Sequence, residues 1–174
     1  MPPPRFLWAG RFDRQKRVDL LMEIARRSPG TVFDVYGKAV LGAEGLEAFD
    51  PPGNIRGKGT YTDLDAVLTV PYAGFVYTAQ WDGLPTILLD MALRGLPIVA
   101  PRVGGIAELV DSETGWLVED FADVEAYCAA LAQMAADPAE ARCRATRLKA
   151  RIGERYSHLR YRTAIEEVMA AHDL

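Results

Sequence analysis

The stretch Gln80-Trp81-Asp82-Gly83-Leu84-Pro85-Thr86-Ile87-Leu88-Leu89-Asp90-Met91-Ala92 reads as a loop running into a helix that carries a carboxylate in its second turn. Pro85 suits the first helical position, where its missing N–H costs nothing. Ile87, Leu88, Leu89, Met91, Ala92 and Leu93 leave no polar face, so a buried helix is expected over 85–94. A carboxylate in such a helix is costly unless it is paired or hydrogen-bonded. Long helical side chains lean toward the N-terminus, which would tilt Asp90 toward the Asp82-Gly83 mouth. Free N–H groups and the positive end of the helix dipole gather at that mouth. Donors for an anion beside an acceptor for hydroxyls suit a ligand with both phosphate and sugar groups. A buried Asp tied to a neighbouring Arg or backbone N–H explains the spacing equally well.

Outward from this stretch, short β-branched or aromatic runs alternate with helical patterns. Strands are expected over 6–9, 31–36, 54–56, 74–78, 97–100 and 114–118. Helices are expected over 18–27, 46–49, 63–69, 85–94 and 106–110. Three more, over 124–136, 138–153 and 161–171, close the chain. Such alternation predicts an α/β, Rossmann-like three-layer domain with a parallel sheet and C-terminal helices. In sheets of this kind ligands sit beyond the C-terminal strand ends, where the strand order switches. The βα junctions are therefore the places to look for chemistry.

The first junction, Gly10-Arg11-Phe12-Asp13-Arg14-Gln15-Lys16-Arg17, holds four cations within seven residues after a strand. Arg offers a planar donor fork for phosphate oxygens and Lys a mobile point charge; a solvated basic loop is the plainer alternative. The second junction contains Gly53-x-x-x-Gly57-Lys58, one residue short of a P-loop and lacking the Ser or Thr after Lys. Gly57-x-Gly59 lacks the third glycine of a dinucleotide fingerprint. Both readings are rejected, and a flexible turn before a helix capped by Thr62 stays open as the plain alternative. The fourth junction pairs Gly104 with Gly105, which permits a close backbone approach or positive φ and aims helix N–H groups at an anion. A tight turn would use the same glycines. Asp82 and Asp90 also have a spacing open to paired-carboxylate hydrolysis, but nothing else in the chain suggests that chemistry.

Taken in order, these phrases resemble the Glu-x7-Glu signature of retaining, family-four glycosyltransferases of the GT-B fold. Asp82-Gly83-Leu84-Pro85, Asp90-Met91-Ala92 and Gly95-Leu96-Pro97-Ile98-Val99-Ala100 carry the likeness. It continues through Gly104-Gly105-Ile106-Ala107-Glu108-Leu109-Val110 to Gly115-Trp116-Leu117-Val118. Gly10-Arg11, Lys16 and Val18-Asp19-Leu20-Leu21 extend it to the start of the chain. The resemblance implies a C-terminal, nucleotide-sugar-binding domain whose acceptor-binding N-terminal partner domain is absent from this chain. On that basis residues 1–174 are one domain that binds donor weakly and transfers nothing alone.

The resemblance also implies roles. Arg11 and Lys16 would clamp the donor diphosphate after Gly10. The main chain near Gly59 and Tyr61 would face the nucleobase. Asp82, with the N–H groups of Gly83 and Leu84, would hold the transferred sugar, and Asp90 would accept from the ribose hydroxyls. Gly104 and Gly105 would line the pocket. The chain departs from the family at several of these places. Both signature acids are Asp rather than Glu, which shortens reach by more than about 1 Å and puts a direct Asp90 contact in doubt. Arg17 replaces the usual Gly, Gly57 a usual bulky residue, and Tyr77 a frequent Pro. Two rivals remain open: a degenerate nucleotide-sugar-binding module, and a GT-B nucleotide-sugar epimerase relative.

Composition sets outer bounds. The 174 residues are 49% hydrophobic and 25% charged, which fits one globular domain. The apolar runs are too interrupted for a membrane span, and the N-terminus lacks the long apolar core of a signal peptide. Cys128 and Cys143 form no Cys-x-x-Cys pair, and His158 and His172 are the two histidines. Reduced thiols in the cytoplasm are expected, with no cofactor and no metal. Peripheral association of a full-length enzyme with the inner face of a membrane stays open. A formal charge of −4 gives no global attraction to nucleic acid. Arg147, Arg151 and Arg155 recur every fourth residue and would form a stripe if the helix ran past Gly153. A solvated face, or one turned to a missing domain, is the expectation there.

Overall fold

A computed structural model describes residues 2–40, 45–156, 162, 163 and 169. The expected helix over 161–171 lies mostly outside that set. Among the described residues six strands form one parallel sheet: β1 (Arg5–Ala9), β2 (Val32–Tyr36), β3 (Ile55–Gly59), β4 (Gly74–Val76), β5 (Ile98–Pro101) and β6 (Trp116–Val118). Their order is β3-β2-β1-β4-β5-β6. Every pairing is parallel, with Phe6 beside both Phe33 and Gly74. The chain thus runs outward from β1 in one direction, then returns to add β4 on its other side. That reversal between β1 and β4 is the switch point.

Alternation along the strands splits the core into two layers. Phe6, Trp8, Phe33, Val35, Val76 and Val99 pack on one face with helices α1 (Val18–Arg27) and α4 (Val124–Ala136). Leu7, Ala9, Phe75, Tyr77, Ile98 and Ala100 pack on the other with α2 (Leu64–Val67), α3 (Thr86–Leu93) and α5 (Pro138–Arg155). The fold class expected from the alternation holds, a Rossmann-like three-layer domain.

Several local expectations change. The Gly57-Lys58-Gly59 segment is not a turn but the end of β3, pairing with Val35 and Tyr36 across a register shift. An edge strand with one neighbour tolerates glycines and a bulge. Asp63, not Thr62, caps α2, its carboxylate accepting from the Asp65 N–H. Pro85 is the cap of α3 rather than its first residue.

Helix α3 is not buried all round either. Leu88, Met91 and Ala92 face the core, whereas Leu93 is 44% exposed and Asp90 lies on the solvent side. The expected helix over 106–110 is a 3-10 turn at Gly104–Glu108. Packing of Ile106, Leu109 and Val110 fixes so short a segment more than helical propensity does. Helix α5 does run past Gly153, so the arginine stripe exists.

Candidate functional site

The two loops that leave β1 and β4 meet at the switch point. Thr78, buried just past β4, accepts a hydrogen bond from Trp8 Nε1 at 2.9 Å and donates to the Lys16 carbonyl at 2.7 Å. That chain of contacts fixes the backbone of one loop to the other. Gln80 adds two more links, its N–H to the Gln15 carbonyl at 3.0 Å and its side chain to the Arg14 carbonyl at 3.2 Å. Lys16 itself is held in a turn by Asp13, whose carboxylate accepts the Lys16 N–H at 3.0 Å.

The Lys16 ammonium reaches across to Asp82, 66 residues later, at 2.7 Å. It also donates to the Tyr77 hydroxyl at 2.5 Å, and that hydroxyl donates to the same Asp82 oxygen. Gln15 approaches this oxygen at 3.4 Å and donates to the Trp81 carbonyl at 3.0 Å. The second Asp82 oxygen accepts the Gly83 N–H at 2.9 Å. Both charged side chains are mostly enclosed, Lys16 13% and Asp82 16% exposed. Burial works to raise the Asp82 carboxyl, but donation from Lys16 and Tyr77 outweighs it and holds the group below the usual carboxylate range. Burial, and then donation to Asp82, pushes the Tyr77 hydroxyl far up, so it stays protonated.

The other sequence candidates distribute around this cluster. Arg11 is 60% exposed, loosely held by Asp13 at 3.2 Å and Gln15 at 3.1 Å. With Gly10, Tyr36, Gly37, Lys38, Thr60 and Tyr61 it lines a cleft of about 260 Å³ at the C-terminal ends of β1 and β2. Gly37 is obligatory there, since a Cβ would fall 2.0 Å from the Gly10 carbonyl oxygen. Gly59 accepts the Gly37 N–H at 2.8 Å, tying β3 to the cleft wall, and Tyr61 meets Tyr36 edge-to-face.

On the opposite side Gly104 adopts φ 51°, and a Cβ would lie 1.7 Å from the Asp82 carbonyl oxygen. Gly105 donates to the Gly83 carbonyl at 2.8 Å, and Leu84 is half-buried beside it. These glycines support the Asp82 loop. The expectation that a helix there aims its N–H groups at an anion does not hold: the segment is a 3-10 turn, and the Gly83 and Gly105 N–H groups already have acceptors.

Asp90 departs most from its expected place. Its side chain is 51% exposed and pairs with Arg94, one turn further on, at 3.3 Å. Arg94 is bridged in turn to Asp65 at 2.6 Å. Asp90 is thus neither buried nor turned into the Asp82 cluster. Its charge is felt by the Tyr61 hydroxyl, raised first by burial and then by Asp90.

Sequence reasoning passed over Gln15 and assigned no role to Tyr77 or Thr78, although Tyr77 was a visible departure from the family. The fourth cation of the first loop has a structural use. Arg17 caps α1 in the left-handed conformation at φ 51°, which explains the usual glycine there, and its Nε is bound to Asp19 at 2.9 Å. The α5 stripe is likewise engaged within the fold. Arg147 donates to the Glu113 carbonyl, Arg151 to the Leu109 carbonyl and Asp111, and Arg155 to Glu108.

The sequence model of the glycosyl transferases group 1 family matches residues 3–137, well over half of the chain. The chain belongs to this family. Solved structures share its fold at low identity. TarM from S. aureus superposes with a TM-score of 0.80 at 17% identity over 98% of this chain and 35% of that one. HepE from Anabaena, solved with UDP, gives 0.83 at 16% identity over 96% and 48%. The isolated C-terminal domain of LpcC, a group 1 protein from Francisella tularensis, gives 0.71 at 17% identity over 89% and 87%. A search of curated protein sequences finds no match. This glycosyltransferase-family chain therefore has the fold of a GT-B C-terminal domain and spans less than half the length of TarM or HepE. No helix among the described residues is long and apolar enough to cross a membrane.

Proposed function

We propose that this chain is the nucleotide-diphosphate-sugar binding domain of a glycosyltransferase that transfers a hexose with retention, completed by an acceptor-binding domain. One observation carries the reading: Lys16 and Asp82, 66 residues apart, meet at the switch point between β1 and β4. Ligands of open α/β sheets bind at that place. Family membership supports it, as does the fold shared with HepE, which was solved with UDP and with UDP-glucose.

In this reading Arg11 and Lys16 neutralise the diphosphate as its bond to the sugar breaks, an electrostatic contribution that requires no cofactor. Asp82 holds the sugar, with Gly83 and Leu84 shaping its loop. Gly10, Gly59 and Tyr61 border the cleft for the nucleoside, and Gly104 and Gly105 back the Asp82 loop. Asp90 reaches the ribose hydroxyls, where one bridging water would make up the methylene that Asp lacks relative to Glu.

Calorimetric titration of the chain with UDP, GDP and ADP and their glucose and mannose esters tests this. Saturable binding of one base series, weakened by Arg11→Ala, is expected. If no ligand binds at millimolar concentration, the donor-domain reading fails and a degenerate module takes its place.

A further inference from the structure

The Oδ2 oxygen of Asp82 is crowded by the protein's own donors. A carboxylate oxygen offers about two acceptor positions; Lys16, Tyr77 and Gln15 all approach Oδ2, whereas Oδ1 accepts the Gly83 N–H. Oδ2 can accept from a ligand hydroxyl only if one of its donors leaves. The three differ in how readily they can do so. Tyr77 is 1% exposed, its ring stacked on Phe75 at the end of β4, and its carbonyl accepts from the Tyr127 hydroxyl at 3.3 Å. Gln15 stands at 3.4 Å, at the limit of a useful bond. Lys16 alone combines a full charge with a flexible four-carbon stem, and a diphosphate is the ligand group that would draw that charge away.

We propose, resting on the donor-domain reading, that Tyr77 is a positioning residue and the fixed arm of an exchange at Asp82. An arriving diphosphate takes Lys16 off the acid, and Tyr77 keeps the acid in place for a hydroxyl of the transferred sugar. The hydroxyl can serve both states. While Lys16 is present it accepts from the ammonium and donates to Asp82, and after Lys16 leaves its bond to Asp82 remains. Phosphate arrival thereby opens a position on Oδ2 for the sugar, and a free monosaccharide meets that oxygen already satisfied.

Tyr77→Phe removes the hydroxyl and keeps the ring, so the core of β4 stays filled. Two readouts on the intact chain decide the matter, with a cooperative melting transition as the control for folding. The first is the ratio of affinities for a nucleoside diphosphate and for its sugar ester. In Tyr77→Phe the diphosphate keeps its affinity within about 3-fold and the sugar ester loses about 10-fold, the scale of one hydrogen bond to a charged group. Equal loss of both ligands, or no loss of either, overturns the proposal. The second needs no ligand: carbon NMR titration of the Asp82 carboxyl, which Lys16, Gln15 and Gly83 also face. Its midpoint rises in Tyr77→Phe if the hydroxyl supports the carboxylate, and an unchanged midpoint overturns that contact. Should the wild-type chain bind no nucleotide, the donor reading and the exchange fall together, while a raised midpoint would still uphold Tyr77 as the support of Asp82.

Discussion

Asp82 and Asp90 stand eight residues apart in one motif and lie in opposite environments. Asp82 is 16% exposed and held by donors from both loops of the switch point, whereas Asp90 is 51% exposed with Arg94 as its ion-pair partner. The difference comes from what surrounds them rather than from the motif. Asp82 belongs to the loop after β4, which Thr78 and Gln80 anchor to the first βα loop. Asp90 belongs to a helix whose buried side is occupied by Leu88, Met91 and Ala92, leaving the acid on the outer side. An acid fixed by several donors is organised before a ligand comes. An acid on a solvated helix face must be organised by the ligand.

The largest effect expected from breaking this contrast is on binding. Lys16→Ala should weaken any nucleoside diphosphate by about 10-fold or more, since it removes a charge-assisted contact; Asp90→Asn should leave a nucleoside diphosphate within about 3-fold, with both read by calorimetry. The next effect is on stability. Asp82→Asn leaves the enclosed Lys16 ammonium without its counter-charge and should cost about 1–3 kcal/mol in urea unfolding at neutral pH. The pH dependence has a definite sign. Because the folded Asp82 carboxyl is held below its unfolded value, its contribution is present above about pH 4 and lost as pH falls through the folded value. The gap between wild type and Asp82→Asn should therefore close in acid, and a constant gap would contradict the cluster. The smallest effect is at Asp90, where Asn should leave the neutral-pH unfolding midpoint unchanged, as an exposed pair implies.

The parallel sheet was legible because hydrophobic runs of strand length alternate with helical stripes, as around Phe6–Ala9 and α1. Lys16 and Asp82 are each singled out by the family resemblance, Lys16 also as one of four cations in the first loop. Their direct pairing is not, since it depends on how two loops 66 residues apart dock. Thr78 and Gln80 do that docking through backbone carbonyls, which sequence pattern does not encode. The pattern misplaces Asp90 because a run of apolar residues reads as a helix buried all round. Leu93 is 44% exposed on that same helix, so its composition overstated its burial. The Gly104-Gly105 pair was given helical geometry, whereas the steric need at Gly104 comes from the Asp82 carbonyl oxygen pressed against it. Residues near a turn disclose their own propensities, but not the neighbour that the fold brings to them.

The most direct test is amide NMR mapping of the chain with the nucleoside diphosphate that binds best. Shifts gathered at Gly10, Arg11, Lys16, Tyr61, Asp82 and Gly83 would place the ligand between β1 and β4. Shifts gathered instead at the opposite end of the sheet, around the cavity of about 620 Å³ lined by Pro4, Tyr72 and Pro97, would contradict a switch-point donor site.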